Sequence, residues 1–151
     1  MGRRAATHPR QPGRGSPLSA FVDTNVLVRH LTGEPADMAA RATAFLAAAD
    51  ELLLTDLILA ETIYVLESYK APRPQIADAM RSLVAMDTMV TIDPATLLRA
   101  IEVYELDRVD FAEAYLVAQA ESTGIRKIAS FDKSIDRVKT VTRIEPPALP
   151  L

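Results

Sequence analysis

Phe21-Val22-Asp23-Thr24-Asn25-Val26-Leu27-Val28 decides how the chain is read: an apolar run meets a carboxylate and then resumes as an apolar, helix-compatible segment. Residues 20–22 have the character of a short buried strand, and Asp23, Thr24 and Asn25 are residue types that cap helices, so a strand-to-helix junction is expected there. Open parallel sheets bind their ligands at the carboxyl ends of strands, which makes Asp23 a candidate ligand-binding acid. Its weight depends on what the rest of the chain brings to the same edge.

Working outward, residues 36–49 form an alanine-rich segment with Met38, Ala42, Phe45 and Leu46 at helical spacing, and residues 51–55 read as the next strand. A helix is expected over 56–69, ended by Pro72 and Pro74, then another over 75–86 and a third strand over 89–92. Asp93 reads as the cap of a helix with Pro94 at its first position, running to about residue 105. The spacing predicts a further helix over 107–123 closed by Gly124 in a left-handed conformation, a strand over 127–130, and a basic segment over 133–143 with an edge strand at 140–144. Strands alternating with helices imply an α/β protein, a three-layer α/β/α sandwich with a mostly parallel central sheet. Residues 20–145 are expected to form one domain, between a disordered basic arm over 1–19 and an irregular tail over 146–151.

The composition narrows the chemistry. The 151 residues include no Cys, which excludes disulfides, thiolate metal sites and a cysteine nucleophile, and leaves metal binding to oxygen ligands or to His8 and His30. The net charge of −3 hides an asymmetry: the first 20 residues carry four Arg and no acid, so the remainder is clearly acidic. An acidic body argues against gripping nucleic acid by bulk charge, and it suits clustered carboxylates around a cation. Three Pro, three Gly and four Arg with few large apolar side chains make the arm unable to offset its ordering entropy, and a solvated arm is the expectation rather than an RNA-binding one. A signal peptide needs an apolar core and a spanning helix needs about 18 apolar residues; neither pattern is found, so a soluble, cytoplasmic protein is expected.

Acids in suggestive context occur in four places: Asp23, Glu61 within the apolar run 57–66, Asp110 with Glu113, and Asp132 after the late strand. Each also has a plain structural reading. Asp23 could be a cap, Asp110 and Glu113 a capping-box pair, and Asp132 a turn residue. Glu61 is the least easily explained that way, because a helix so apolar should be buried and a buried carboxylate needs a cation or a proton. A strand–helix alternation carries all four places to one edge of a parallel sheet, where Mg²⁺ or Mn²⁺ could be held by carboxylates and could promote phosphodiester hydrolysis. Thr24, Asn25 and Ser130 are suited to hydrogen bonds that orient these ligands.

The stretches FVDTNVLVR at 21–29, LAETIYVLES at 59–68, DFAEAYLVAQAESTG at 110–124 and SFDKSID at 130–136 resemble, in order and spacing, the PIN-domain ribonucleases, most closely the VapC-type toxins of bacterial toxin–antitoxin pairs. The resemblance implies a PIN-like fold and a Mg²⁺- or Mn²⁺-dependent endoribonuclease whose metal-binding, catalytic acids are Asp23, Glu61, Asp110, Glu113 and Asp132. It also implies homodimers and a small antitoxin partner covering the active-site groove. The third motif departs from the usual pattern, which often has Asp before the Ala. Here Glu113 precedes Ala114, and the extra methylene changes reach by about 1.5 Å, leaving open which of Asp110 and Glu113 is the direct ligand.

Arg29, Arg108, Lys133 and Arg137 lie near the motif ends and could contact RNA phosphates, although surface cations are common. His30 reads as structural, and Tyr64 and Tyr115 fall at spacing that suggests packing. A haloacid-dehalogenase-like phosphohydrolase would also place Asp after its first strand, but it wants a second Asp where Asn25 stands. A catalytically inactive PIN-like binding module is the remaining alternative, and the presence of acids in all four places weighs against it.

Overall fold

A computed structural model describes residues 19–151. The disordered arm expected over 1–19 lies outside the described residues except for Ser19, which begins the first strand. In chain order the elements are β1 (Ser19–Phe21), α1 (Thr24–Thr32), α2 (Ala36–Ala48), β2 (Glu51–Leu53), α3 (Asp56–Ser68), α4 (Arg73–Ala85), β3 (Met89–Val90), α5 (Pro94–Leu106), α6 (Phe111–Thr123), β4 (Lys127–Ala129), a 3-10 helix (Lys133–Arg137) and β5 (Thr142–Ile144). Every strand pairing is parallel. Parallel strands alternating with helices make this an α/β fold, consistent with the three-layer α/β/α sandwich expected from the sequence.

The chain divides into two compact units, one containing the described part of Met1–Val65 with Ser82–Pro94, the other Leu66–Arg81 with Ala95–Leu151. The first unit holds a sheet in the order β1-β2-β3, with Ala20 opposite Leu52 and Leu53 opposite Val90. Leu52 on the central strand is fully buried, and so are Leu27, Leu46, Leu59 and Ile63 from the helices. Helix α1 packs on α2, where His30 Nδ1 lies 2.8 Å from Thr43 Oγ1, in keeping with a structural histidine. Gly33 ends α1 at φ 74°, a left-handed conformation that glycine adopts without a Cβ clash.

The second unit pairs β4 with β5, Ile128 standing opposite Arg143. Its core draws on α4, where Ile76, Ala77 and Met80 are buried, and on α5 and α6: Leu97, Ala100, Ile101 and Tyr104 of α5 are buried, as are Phe111, Ala114, Val117 and Ala118 of α6. The Tyr104 and Phe111 rings meet edge to face, centroids 6.2 Å apart. Gly124 closes α6 in the expected left-handed conformation, at φ 77°. The sequence-based start of α6 at residue 107 is corrected to Phe111. Arg108 adopts φ 56° and breaks the helical path, so residues 107–110 form a sharp junction between two helices. The 3-10 helix had no counterpart in the sequence reading, and the tail 146–151 is irregular as expected. No described helix is long and apolar enough to cross a membrane.

Arg99 of α5 forks onto Glu121 of α6, with Nε at 2.8 Å from Oε2 and Nη2 at 3.0 Å from Oε1, and Thr140 donates to the same carboxylate. The guanidinium, and then the Thr140 hydroxyl, hold the Glu121 carboxyl below its ordinary value despite partial burial. A depressed folded-state pKa stabilises the fold above the unfolded-state value, and the contribution disappears as pH falls through the folded value. With side-chain exposures of 32% and 17% the pair is partly screened. Glu121→Gln should therefore cost about 1–2 kcal/mol near neutral pH. In denaturant melts the gap from the parent should close as the medium is acidified below the ordinary carboxylate range.

Candidate active site

The chain leaves β1 with Val22 buried and its N–H donated to the Leu53 carbonyl at 3.1 Å, which places Asp23 directly past the end of the strand. Asp23 is the N-cap of α1: its backbone is extended (φ −97°, ψ 157°), its carbonyl accepts from Val26 N–H at 3.2 Å, and its Oδ1 accepts from Thr24 N–H at 2.8 Å. Thr24 is 7% exposed, and its hydroxyl donates to Glu61 Oε2 at 2.8 Å. The first residue of α1 thus ties Asp23 and Glu61 together, one through its backbone and the other through its side chain.

Glu61 itself is exposed, so the expectation that it would be a buried, uncompensated carboxylate is corrected. Within α3, Leu59, Thr62, Ile63 and Leu66 are buried, while Leu57, Glu61, Tyr64 and Ser68 are exposed at spacings of four, three and four residues. The helix has a real outer stripe that its apolar composition disguises. Tyr64, expected to be packed, is 44% exposed on that stripe. Tyr115 is half-buried and lies beside Phe111, ring centroids 6.3 Å apart.

In the second unit, Asp110 is the N-cap of α6 by backbone conformation (φ −63°, ψ 152°), with its carbonyl accepting from Ala114 N–H at 2.9 Å, but its side chain makes no capping hydrogen bond. Glu113, half-buried, is the third residue of α6, so the first turn presents two carboxylates three residues apart. Asp132 caps the 3-10 helix through Oδ1, which accepts from Ser134 N–H at 2.8 Å, while Asp132 N–H donates to Ser130 Oγ at 2.9 Å. The Ser134 hydroxyl and backbone N–H hold the exposed Asp132 carboxyl below its ordinary range, with a smaller contribution from Arg137 and Arg143.

The cations fall out differently from one another. Arg137, one of the four cations that could contact RNA, donates from Nη1 to the Arg108 carbonyl at 2.8 Å and so holds the chain just before α6. Arg108 contributes that carbonyl from its left-handed backbone while its side chain is exposed, as is that of Lys133 at the start of the 3-10 helix. Arg29 reaches the Glu34 carbonyl at 3.4 Å and, with Asn25, Val26, Met38 and Phe45, borders a groove of about 480 Å³ between α1 and α2. Asn25 therefore faces this groove, while Thr24 and Ser130 make the orienting contacts. Arg73, which nothing in the sequence singled out, donates to the Tyr104 and Val109 carbonyls, both at 2.8 Å.

The donors are carboxylate oxygens in a chain without cysteine, the chemistry that Mg²⁺ and Mn²⁺ favour. Among the described residues no three such side chains are gathered into a metal-holding group. The pairs the structure does bring together are Asp23 with Glu61, through Thr24, and Asp110 with Glu113, on one helical turn.

Thr24→Val replaces the hydroxyl with a methyl of similar shape and removes the bond to Glu61, which water can then solvate. It should destabilise by about 1 kcal/mol, whereas Thr24→Ser keeps the donor and should stay closer to the parent. Urea unfolding of the three proteins measures this.

Neither the curated proteins nor the solved structures compared with the chain contain a match. The PIN domain family matches over residues 20–141, a span that includes Asp23, Glu61, Asp110, Glu113 and Asp132. PIN domains are generally nucleases that act on nucleic acids, typically with divalent metal ions. With most of its length inside that match, the chain belongs to the PIN-domain family.

Proposed function

We propose that the protein is a Mg²⁺- or Mn²⁺-dependent endoribonuclease that hydrolyses RNA phosphodiester bonds and acts as the toxin of a toxin–antitoxin pair. The observation that carries the reading is the hydrogen bond from Thr24 to Glu61, which joins the first two motif acids at the end of β1. Asp23, Glu61, Asp110, Glu113 and Asp132 would hold the metal. When bound, the ion supplies Lewis-acid stabilisation of charge on the phosphate and acidifies water.

The chain's own groups prepare that chemistry. Thr24 fixes the aim of Glu61 by occupying one of its oxygens, and the carboxylate keeps further lone pairs for another partner. Ser130 accepts from the Asp132 backbone N–H, and Ser134 donates to the Asp132 carboxylate and holds it below its ordinary range. Asp110 and Glu113 share a helix N-terminus, where the aligned backbone dipoles favour negative charge. Arg29, Arg108 and Lys133 are suited to RNA phosphates, which position a substrate without selecting its sequence. A small antitoxin, a second copy of the chain and a cytoplasmic setting belong to the same reading, which draws them from the motif resemblance.

Purified protein should cleave RNA internally with Mg²⁺ or Mn²⁺ present and stop on addition of EDTA, and Asp23→Asn should reduce kcat by at least about 100-fold. Cells producing the parent should cease growth, and cells producing Asp23→Asn should not. Unaltered cleavage by Asp23→Asn would remove the reading. Release of phosphate from small phosphomonoesters without RNA cleavage would favour a phosphohydrolase instead.

A further inference from the structure

The junction between α5 and α6 is gripped by two guanidinium groups from elsewhere in the same unit. Arg73, the first residue of α4, sends Nη1 to the carbonyls of Tyr104 and Val109, each 2.8 Å away, and its guanidinium carbon lies 4.3 Å from the centre of the Tyr104 ring. Tyr104 is a firm base for that contact. Its ring is 0% exposed and its phenol donates to Glu67 Oε1 at 2.7 Å. From the other direction Arg137, the last residue of the 3-10 helix, donates to the Arg108 carbonyl at 2.8 Å.

These contacts fall where the backbone most needs support. Arg108 is a non-glycine residue at φ 56°, a conformation that persists only when its surroundings hold it. The Val109 carbonyl belongs to the peptide unit whose N–H is that of Asp110, so anchoring its oxygen fixes the plane from which Asp110 and the first turn of α6 depart. Asp110 does not fix itself by side-chain capping, unlike Asp23 and Asp132. Arg137, moreover, ends the short helix that Asp132 caps, so one hydrogen bond connects the segment of Asp132 to the segment of Asp110.

We propose that Arg73 and Arg137 are positioning residues that set the direction of the Asp110 and Glu113 carboxylates and hold the Asp132 segment beside them. This rests on the metal-dependent nuclease reading. A guanidinium suits the task because its planar donors can hold two carbonyls at once while its face lies on an aromatic ring. Engaged in this way, Arg137 acts on the acids rather than on RNA.

The test is Mn²⁺ affinity, read from the paramagnetic resonance signal of free Mn²⁺ during titration of the full-length protein, with thermal melting of each variant alongside. Arg73→Met and Arg137→Met should each weaken Mn²⁺ binding about 10-fold or more while still melting cooperatively. Arg73→Lys, which keeps the charge but not the planar fork or the ring stacking, should recover only part of that loss. In steady-state cleavage both Met variants should lower kcat with little change in KM. If Arg137→Met instead raises KM and leaves Mn²⁺ affinity within about twofold of the parent, it is an RNA contact and its positioning role is overturned. The same lack of effect in folded Arg73→Met overturns the role of Arg73, and should that variant fail to fold, a folded Arg73→Lys whose Mn²⁺ affinity stays within about twofold of the parent overturns the role equally. A parent that binds no Mn²⁺ overturns the nuclease reading along with this one, whereas a parent that binds Mn²⁺ and loses it in Asp110→Asn with Glu113→Gln leaves the nuclease reading standing whatever the arginine variants do.

Discussion

Between the last residue of β1 and the first of α1 the chain has only Val22 and Asp23, and the Asp23 carboxylate closes that turn by accepting the Thr24 N–H. Without an acceptor there, α1 would begin with an unsatisfied donor beside the buried side chains of Val22 and Thr24. The same cap sets Thr24 so that its hydroxyl reaches Glu61, and through it the end of the sheet is linked to α3. The cap uses one oxygen of Asp23, and because one carboxylate offers about four acceptor positions, the others stay open for the proposed metal.

The three candidate acids at element starts solve the same local problem in two ways. Asp23 and Asp132 accept backbone N–H groups and are anchored by their own side chains. Asp110 occupies the cap position by backbone conformation alone, and the junction before it is supported by Arg73 and Arg137 from outside. A self-anchored carboxylate is aimed by its own hydrogen bond, whereas Asp110 depends on packing in the unit that surrounds it. The exposure of these acids has a physical advantage, since a hydrated charge costs little to keep until a cation replaces its water.

Much of the local structure was legible because it is written in short-range chemistry. Pro94 at the first position of α5 and Gly124 past the end of α6 fall where the sequence placed them, and strands alternate with helices in the expected order, although Pro74, expected to end a helix, lies in the first turn of α4 and β3 stops at Val90. The start of α6 was misjudged because residues 107–123 keep helical spacing without interruption, and only the left-handed backbone of Arg108 divides them. The pattern of Asp110 three residues before Glu113 was the available signal for a helix beginning at Phe111. Glu61 was misjudged for a related reason: composition showed α3 as apolar all round, while the burial of Leu59, Thr62, Ile63 and Leu66 leaves the opposite stripe to solvent.

By itself the sequence determined the order of strands and helices, the capping position of Asp23 and the family to which the four motifs belong, since caps, turns and periodicity depend on residues a few positions apart. Tertiary structure alone decided that Thr24 holds Glu61, that α3 turns that acid to solvent, and that Arg73 and Arg137 grip the turn before Asp110. Those contacts join residues 29 to 37 positions apart. Hydrogen bonds at such separations follow from how the elements pack, and no local preference of an arginine or a threonine reveals which carbonyl or carboxylate it will meet.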